Sequence, residues 1–332
     1  MRILHKYFWT AEFALVLMAL PLTQPQNNKN LSYYSKHESE ILPDAKIAFQ
    51  NSEYKRAIEL CNWYFIIVGD SAADALKKDA GQCNALSRDM KDLIASGRMG
   101  DAREKARQLF LLNSKDTEAT SVLANGPSTG IINDFEWVNM GLSVRWATCN
   151  VGASSSRGQG GYFAWGETTT KDTYTWSNYV FRISGDSDET VVLNKYVCFS
   201  SFSDYNKEYD QKRELVDNKR QLELTDDAAN RNWGGSWRMP TVREMWELTE
   251  FCKWTWDSNN DGYIITSNIT GNSIFLPANF SGGNGYYWTS DHNGLGANLA
   301  DCLGFNPDGF KLYQFLQGGR RFSAQGIRPV TE

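Results

Sequence analysis

The clearest ligand spacing in this 332-residue chain is Asp257-Ser-Asn-Asn-Asp-Gly262, which follows the D-x-N-x-D-G opening of a calcium loop. Oxygen ligands at alternate positions would converge on a hard cation, and the glycine would allow the sharp turn. The twelfth position, however, is Asn268 where that loop needs a bidentate glutamate, and both flanks read as strands. Asp257 and Asp261 are therefore expected in a polar hairpin turn built on Asp-Gly. Asp226 and Asp227 could hold a cation with a nearby carbonyl, but Asp-Asp-Ala-Ala equally suits a helix N-terminus, where carboxylates meet the positive dipole end. A structural calcium at Asp226, Asp227, Asp257 or Asp261 stays open, and no other cofactor is expected.

Nucleophilic chemistry has little to work with. The chain holds three histidines, His5, His37 and His292. Ser290 lies outside any G-x-S-x-G elbow, and His292 alone makes no triad. Cys302 falls on an expected strand with no histidine or basic partner in sequence reach, so nothing lowers its thiol pKa. The six cysteines, an even count, agree with an oxidising compartment. Cys61 and Cys83 lie in the N-terminal half, and Cys149, Cys198, Cys252 and Cys302 beyond it. Several disulfide pairings are open, as are buried free thiols with one bridge. With no C-x-x-C pair, zinc ribbons and thioredoxin-type chemistry have no support. The chain reads as a non-enzyme.

Charge narrows the partners. Thirty-four basic against 39 acidic residues give a net charge of −5, with no electrostatic footprint for nucleic acid or an anionic membrane. Hydrophobic content of 41% and 12 tryptophans support a well-packed protein. At the N-terminus, Arg2 and Lys6 precede an apolar run from Phe13 to Leu22. Residues 1–23 read as a secretory signal cleaved near Thr23/Gln24, which would place the protein in the periplasm, on the cell surface or outside. The run is shorter than the roughly 20 residues a membrane span needs. A buried N-terminal helix is the competing reading.

The elements that would position these residues fall into two textures. Across residues 40–123 the pattern is helical: Ala48, Tyr54, Ala57, Ile58, Cys61 and Phe65 recur at i, i+3, i+4 and stop at Gly69-Asp70. A second set, Gly97, Met99, Ala102, Ala106, Leu109 and Phe110, ends near Asn113-Ser114, and a further helix is expected over Ser71–Ser96. Ser52-Glu-Tyr-Lys-Arg-Ala57 and Gly97-Arg-Met-Gly-Asp-Ala102 resemble the helix-turn-helix junction of tetratricopeptide repeats, although their alanines are 45 residues apart, wider than that family's spacing. The resemblance implies helical hairpins that bind a peptide or protein, or that space or dimerise the chain.

Residues 124–132 read as a Gly/Pro/Ser linker. Beyond it, short apolar runs broken by Gly, Asn and Asp predict strands at Trp137–Trp146, Gly161–Trp165, Gly262–Thr266, Ser273–Leu276, Ala300–Phe305, Phe310–Phe315 and Gly326–Val330. One helix is expected at Thr241–Cys252, where Thr241 and Glu244 form a T-x-x-E capping box, and another at Lys207–Val216. Phe181–Val216 reads as a surface excursion pinned by Cys198. The fold class is α+β, with an antiparallel C-terminal core.

Six blocks in order then carry a resemblance: Phe135–Ala153, Gly161–Thr168, Asp226–Ala229, Asn232–Thr241 (N-W-G-G-S-W-R-M-P-T), Tyr287–Ser290 and Gly326–Val330. Together they resemble the Fibrobacter/Bacteroides major paralogous domain, over residues 133–332. That family is similar to the C-type-lectin-like fold of the formylglycine-generating-enzyme branch. The enzymes' G-N-V-W-E-W block and cysteine pair have no counterpart here, nor do the E-P-N and W-N-D sugar signatures of calcium-dependent lectins. The resemblance implies a frame that presents adaptable side chains at its C-terminal end, as in retroelement-diversified variable proteins. Leu303, Phe305, Ile327, Val330 and Trp288 would form the frame. Tyr286, Asp291, His292, Asp301, Lys311, Tyr313, Gln314, Gln317, Arg320, Arg321 and Gln325 would then be the ligand-binding candidates, with Tyr286 and Tyr313 exposed. The function implied is recognition of an extracellular protein or glycan. The alternatives are a scaffolding surface protein without a small ligand, or a relative of the formylglycine-generating enzymes.

Overall fold

Ser52 takes a left-handed φ of +64° and Gly97 a φ of +76°. Each lies at the sharp reversal between two helices, where the two repeat-like motifs were located. The computed structural model describes residues 29–188, 190–198, 213–292, 297–313 and 318–332. The secretory signal expected at residues 1–23 lies outside them. Six helices come first: α1 (Leu31–Tyr34), α2 (Ile41–Gln50), α3 (Tyr54–Val68), α4 (Asp74–Ala95), α5 (Met99–Leu112) and α6 (Thr117–Ala124). Helix α3 stops at Gly69 in the αL conformation, and α6 starts at Asp116, whose side chain accepts the Ala119 N–H. No helix among the described residues is long and apolar enough to cross a membrane.

Contacts divide the chain into two units between Gln82 and Cys83, inside α4. In the first unit, α2 and α3 bury Ile41, Ala45, Ala48, Ala57, Leu60 and Cys61 against Tyr34. Small residues on both helices let the backbones approach closely. Lys29 ties this unit by pairing with Glu40 and Asp44 at 2.7 and 2.9 Å.

The second unit contains α5, α6 and all the sheets. Phe110 of α5 meets Phe251 edge-to-face at 5.2 Å, so the last helices belong with the β-rich part. The segment expected to be a linker is half strand: β1 (Thr129–Ile132) pairs antiparallel with β2 (Phe135–Val138), followed by β3 (Arg145–Ala147). The single strand expected over Trp137–Trp146 is therefore two, joined by a turn. After β4 (Arg182–Ser184) and β5 (Val192–Leu193) come α7 (Ala228–Trp233) and α8 (Val242–Glu250). The meander β6 (Cys252–Asp257), β7 (Gly262–Ser267) and β8 (Ser273–Pro277) follows. Then β9 (Gly285–His292), β10 (Leu299–Asn306), β11 (Gly309–Tyr313) and β12 (Gly319–Arg320) form a sheet with β10 at its centre. Strand β13 (Val330–Thr331) returns to pair with β3.

Three further expectations are corrected. Gly161–Trp165 is no strand; only Phe163 bridges, to Gln325. The helix at Lys207–Val216 falls largely outside the described residues, and Arg213–Leu215 is a 3-10 turn. Phe181–Cys198 is no surface excursion: Val192, Leu193, Tyr196 and Val197 are fully or nearly fully buried beside Trp165. Cys198 forms no bridge, its thiol facing the Lys219 carbonyl, and all six cysteines are free thiols.

The block Asn232–Thr241 leads into the expected capped helix, which runs as α8 over Val242–Glu250 and ends before Cys252. Trp233 and Trp237 meet edge-to-face at 5.0 Å, and the Trp237 indole donates to the Ile132 carbonyl. Gly235 has φ +58°, and a Cβ there would lie 2.8 Å from the Asn133 side chain. Thr241 and Glu244 complete the reciprocal capping box on α8.

Candidate functional site

Strand β10 decides which candidates can meet a ligand. Its alternate residues enter two different cores: Ala300 and Cys302 pack with Trp288, while Leu303 and Phe305 pack with Tyr287. A strand covered on both faces has no solvent side, so Asp301, a ligand-binding candidate, is buried instead. The same holds for the framework residues Leu303, Phe305, Trp288, Ile327 and Val330, all buried as expected.

Arg321 is a structural cation. It is fully buried, lies 4.7 Å over the Trp165 ring, and is lined by Tyr179, Phe181 and Tyr196. Its nitrogens donate to the Tyr179 hydroxyl and to the carbonyls of Lys195, Tyr196 and Ala297. Arg328 plays a parallel part, donating to Asn150 and to the carbonyls of Ala147 and Phe275. Aromatic faces and carbonyl dipoles take the place of a carboxylate partner around Arg321. Gln325 is also interior; a Cβ on Gly319 would come within 2.4 Å of its Nε2.

Asp291 and His292 sit at an irregularity. Ala300 pairs with His292 while Cys302 pairs with Trp288, so β9 carries extra residues opposite β10. The bulge turns Asp291 toward α8, where its carboxylate accepts the Val242 N–H at 2.6 Å. Burial pushes the Asp291 carboxyl up to about 6, against the pull of that N–H. His292 is buried, and burial together with the Arg321 charge lowers its pKa to about 3, leaving the ring neutral.

What remains at the surface is a smaller set. Lys311 is exposed on β11 opposite Gly304. Arg320 is exposed on β12 and pairs with Asp188. Tyr286 is half-buried, edge-on to Phe280 at 5.6 Å. Gln314, Gln317 and the Tyr313 side chain lie outside the described residues. Sequence reasoning missed the tryptophans of β6 that pack beside β11. Trp254 of β6 stacks on the exposed Phe310 at 4.4 Å, and Trp256 lies on the same face of the strand. The signal was Trp254-Thr-Trp256, an alternation hidden when Cys252 was read as a helix end.

The metal candidates are spoken for. Asp226 receives Lys195 and the Tyr196 hydroxyl. Asp227 caps α7 and accepts the Met239 N–H, with burial raising its carboxyl to about 6. Asp257 accepts from Asn259 and Asn260 within its turn, and Asp261 has φ +46° at the end of the hairpin loop 258–261, while Gly262 already pairs with Asp257 as part of β7. No group of three His, Cys, Asp or Glu suited to a metal occurs among the described residues.

The nucleophile candidates are equally constrained. Burial drives the Cys302 thiol up to about 12, and Gln325 offsets this only in part. The Ser290 hydroxyl accepts from the Gln221 amide. Comparison with known proteins found no matching family model, no matching curated protein and no matching solved structure.

Proposed function

We propose that the protein is an exported, non-enzymatic binding protein. In this reading a tetratricopeptide-like helical part docks or assembles. A C-type-lectin-like domain recognises an extracellular protein or glycan through its C-terminal face, as in retroelement-diversified variable proteins. The observation that carries it is the split among C-terminal polar residues. Arg321, Arg328 and Gln325 are consumed by the interior, whereas Lys311 is exposed next to Phe310 on β11 and Arg320 is exposed on β12, toward the other end of β10. A rigid frame with adaptable polar and aromatic side chains at its edge suits recognition. A neutral buried His292 and an un-ionised Cys302 favour binding over chemistry.

The test is a binding screen of the purified full chain against glycans and extracellular proteins, followed by Lys311→Ala, Tyr286→Ala and Phe310→Ala. A ligand whose affinity falls at least about tenfold in these variants, with melting unchanged, supports the reading. A ligand indifferent to all three, or no ligand at all, overturns it.

A further inference from the structure

Arg103 and Arg107 stand one turn apart on α5, so both reach one side of the helix. They line a cavity of about 320 Å³ together with Ser143, Arg145, Arg238, Glu244 and Glu332. Leu123, Leu142 and Val144 supply an apolar stretch of its wall. This cavity lies within the second unit and is lined by none of the surface candidates Lys311, Arg320 or Tyr286.

Its arginines, Arg103, Arg107, Arg145 and Arg238, outnumber the acidic lining residues Glu244 and Glu332. Arg238 is satisfied by Glu244, which takes two of its nitrogens, and Arg107 pairs with Glu104. Arg103 and Arg145 have no ion pair among the described residues. Their contacts are to main-chain oxygens, of Asn125 and Glu332, and Arg145 also stacks on Trp137 at 4.5 Å. Three buried donors are left without a partner: Arg103 Nε, Arg107 Nε and Ser143 Oγ. Unsatisfied buried donors are rare in folded proteins and ask for an explanation. Cationic forks beside an idle hydroxyl are how oxyanions are held.

We propose that this cavity binds a small oxyanion, a carboxylate or phosphate head group carried on a short apolar body. The head group would accept from Arg103, Arg107 and Ser143, with Arg145 adding charge. The body would rest on Leu123, Leu142 and Val144. Gly126, with φ +117°, keeps the wall open, since a Cβ there would come within 3.0 Å of an Arg103 nitrogen.

Calorimetry and thermal shift on the full chain at low ionic strength test this with succinate, inorganic phosphate and the neutral succinamide. A saturable response to succinate assigns a carboxylate ligand and one to phosphate a phosphate ligand; succinamide should do nothing. Arg103→Lys keeps the charge but loses the fork, and should weaken binding at least about tenfold while leaving the unliganded melt unchanged. Ser143→Ala, the milder variant, should weaken it less. No response to either anion at millimolar concentration means water satisfies the donors, and the proposal fails. A response equal for all salts, or unaltered in both variants, reflects general screening and also overturns it.

Discussion

Glu244 accepts two nitrogens of Arg238, at 2.8 and 2.6 Å, while closing the capping box on the Thr241 N–H at 2.7 Å. One carboxylate thus joins the start of α8 to the strand-like segment whose Arg238 N–H and carbonyl pair with Val330. Burial alone would raise its pKa, but the Arg238 hydrogen bonds and charge outweigh this and hold it below the ordinary 4.5. A depressed folded pKa gives stability that is present above that ordinary value and lost as pH falls through the folded one. Glu244→Gln should cost about 3 kcal/mol at neutral pH, by leaving Arg238 half-buried and unpaired. It should also flatten the acid limb of melting temperature against pH. Thr241→Ala, which loses only the cap, should cost about 1 kcal/mol.

Arg320 and Arg321 are neighbours with opposite fates. Arg321→Ala should destabilise by about 3–5 kcal/mol, since it opens a cavity beside Trp165 and strands the carbonyls of Lys195 and Ala297. Arg320→Ala should stay within about 0.5 kcal/mol, because its pair with Asp188 is exposed. Chemical denaturation of both variants checks the contrast; equal costs would mean that one of the two side chains is misplaced.

Asp291 and His292 pull stability in opposite directions as pH changes. The Asp291 carboxyl is raised to about 6, so its contribution is full below the ordinary 3.8 and is lost as pH rises through 6. The His292 pKa is lowered to about 3, so its contribution is full above the ordinary 6.5 and is lost as pH falls toward 3. The native protein should therefore show a shallow profile between these limits. Asp291→Asn should expose a steeper acid loss, read from melting temperature across the window.

Thiol reactivity should follow burial. Cys252 and Cys302, both pushed up to about 12, should resist alkylation in the native protein. Half-buried Cys149 should be modified first among the six, as peptide mass mapping can read.

Local physics made much of this chain legible. The capping box at Thr241 and Glu244, the turn residues Ser52 and Gly97, and the stop at Gly69 each depend on a few neighbouring residues. So does the polar hairpin loop that ends at Asp261, and all lie where the residue pattern placed them. Strands β7 and β8 followed from β-branched and aromatic runs between turn residues. Long-range pairing decided the rest. Alternation along β10 marks two faces but cannot tell whether one or both are covered, and the two cores packed on those faces settle that for Asp301 and Cys302. A guanidinium at Arg321 reads as exposed because burying a charge is costly. Only the Trp165, Tyr179 and Tyr196 cage, gathered from more than a hundred residues away, removes that cost. The alignment of Arg103 and Arg107 with Ser143 likewise arises where α5 meets the β2–β3 turn, a juxtaposition that neither segment carries in its own residues.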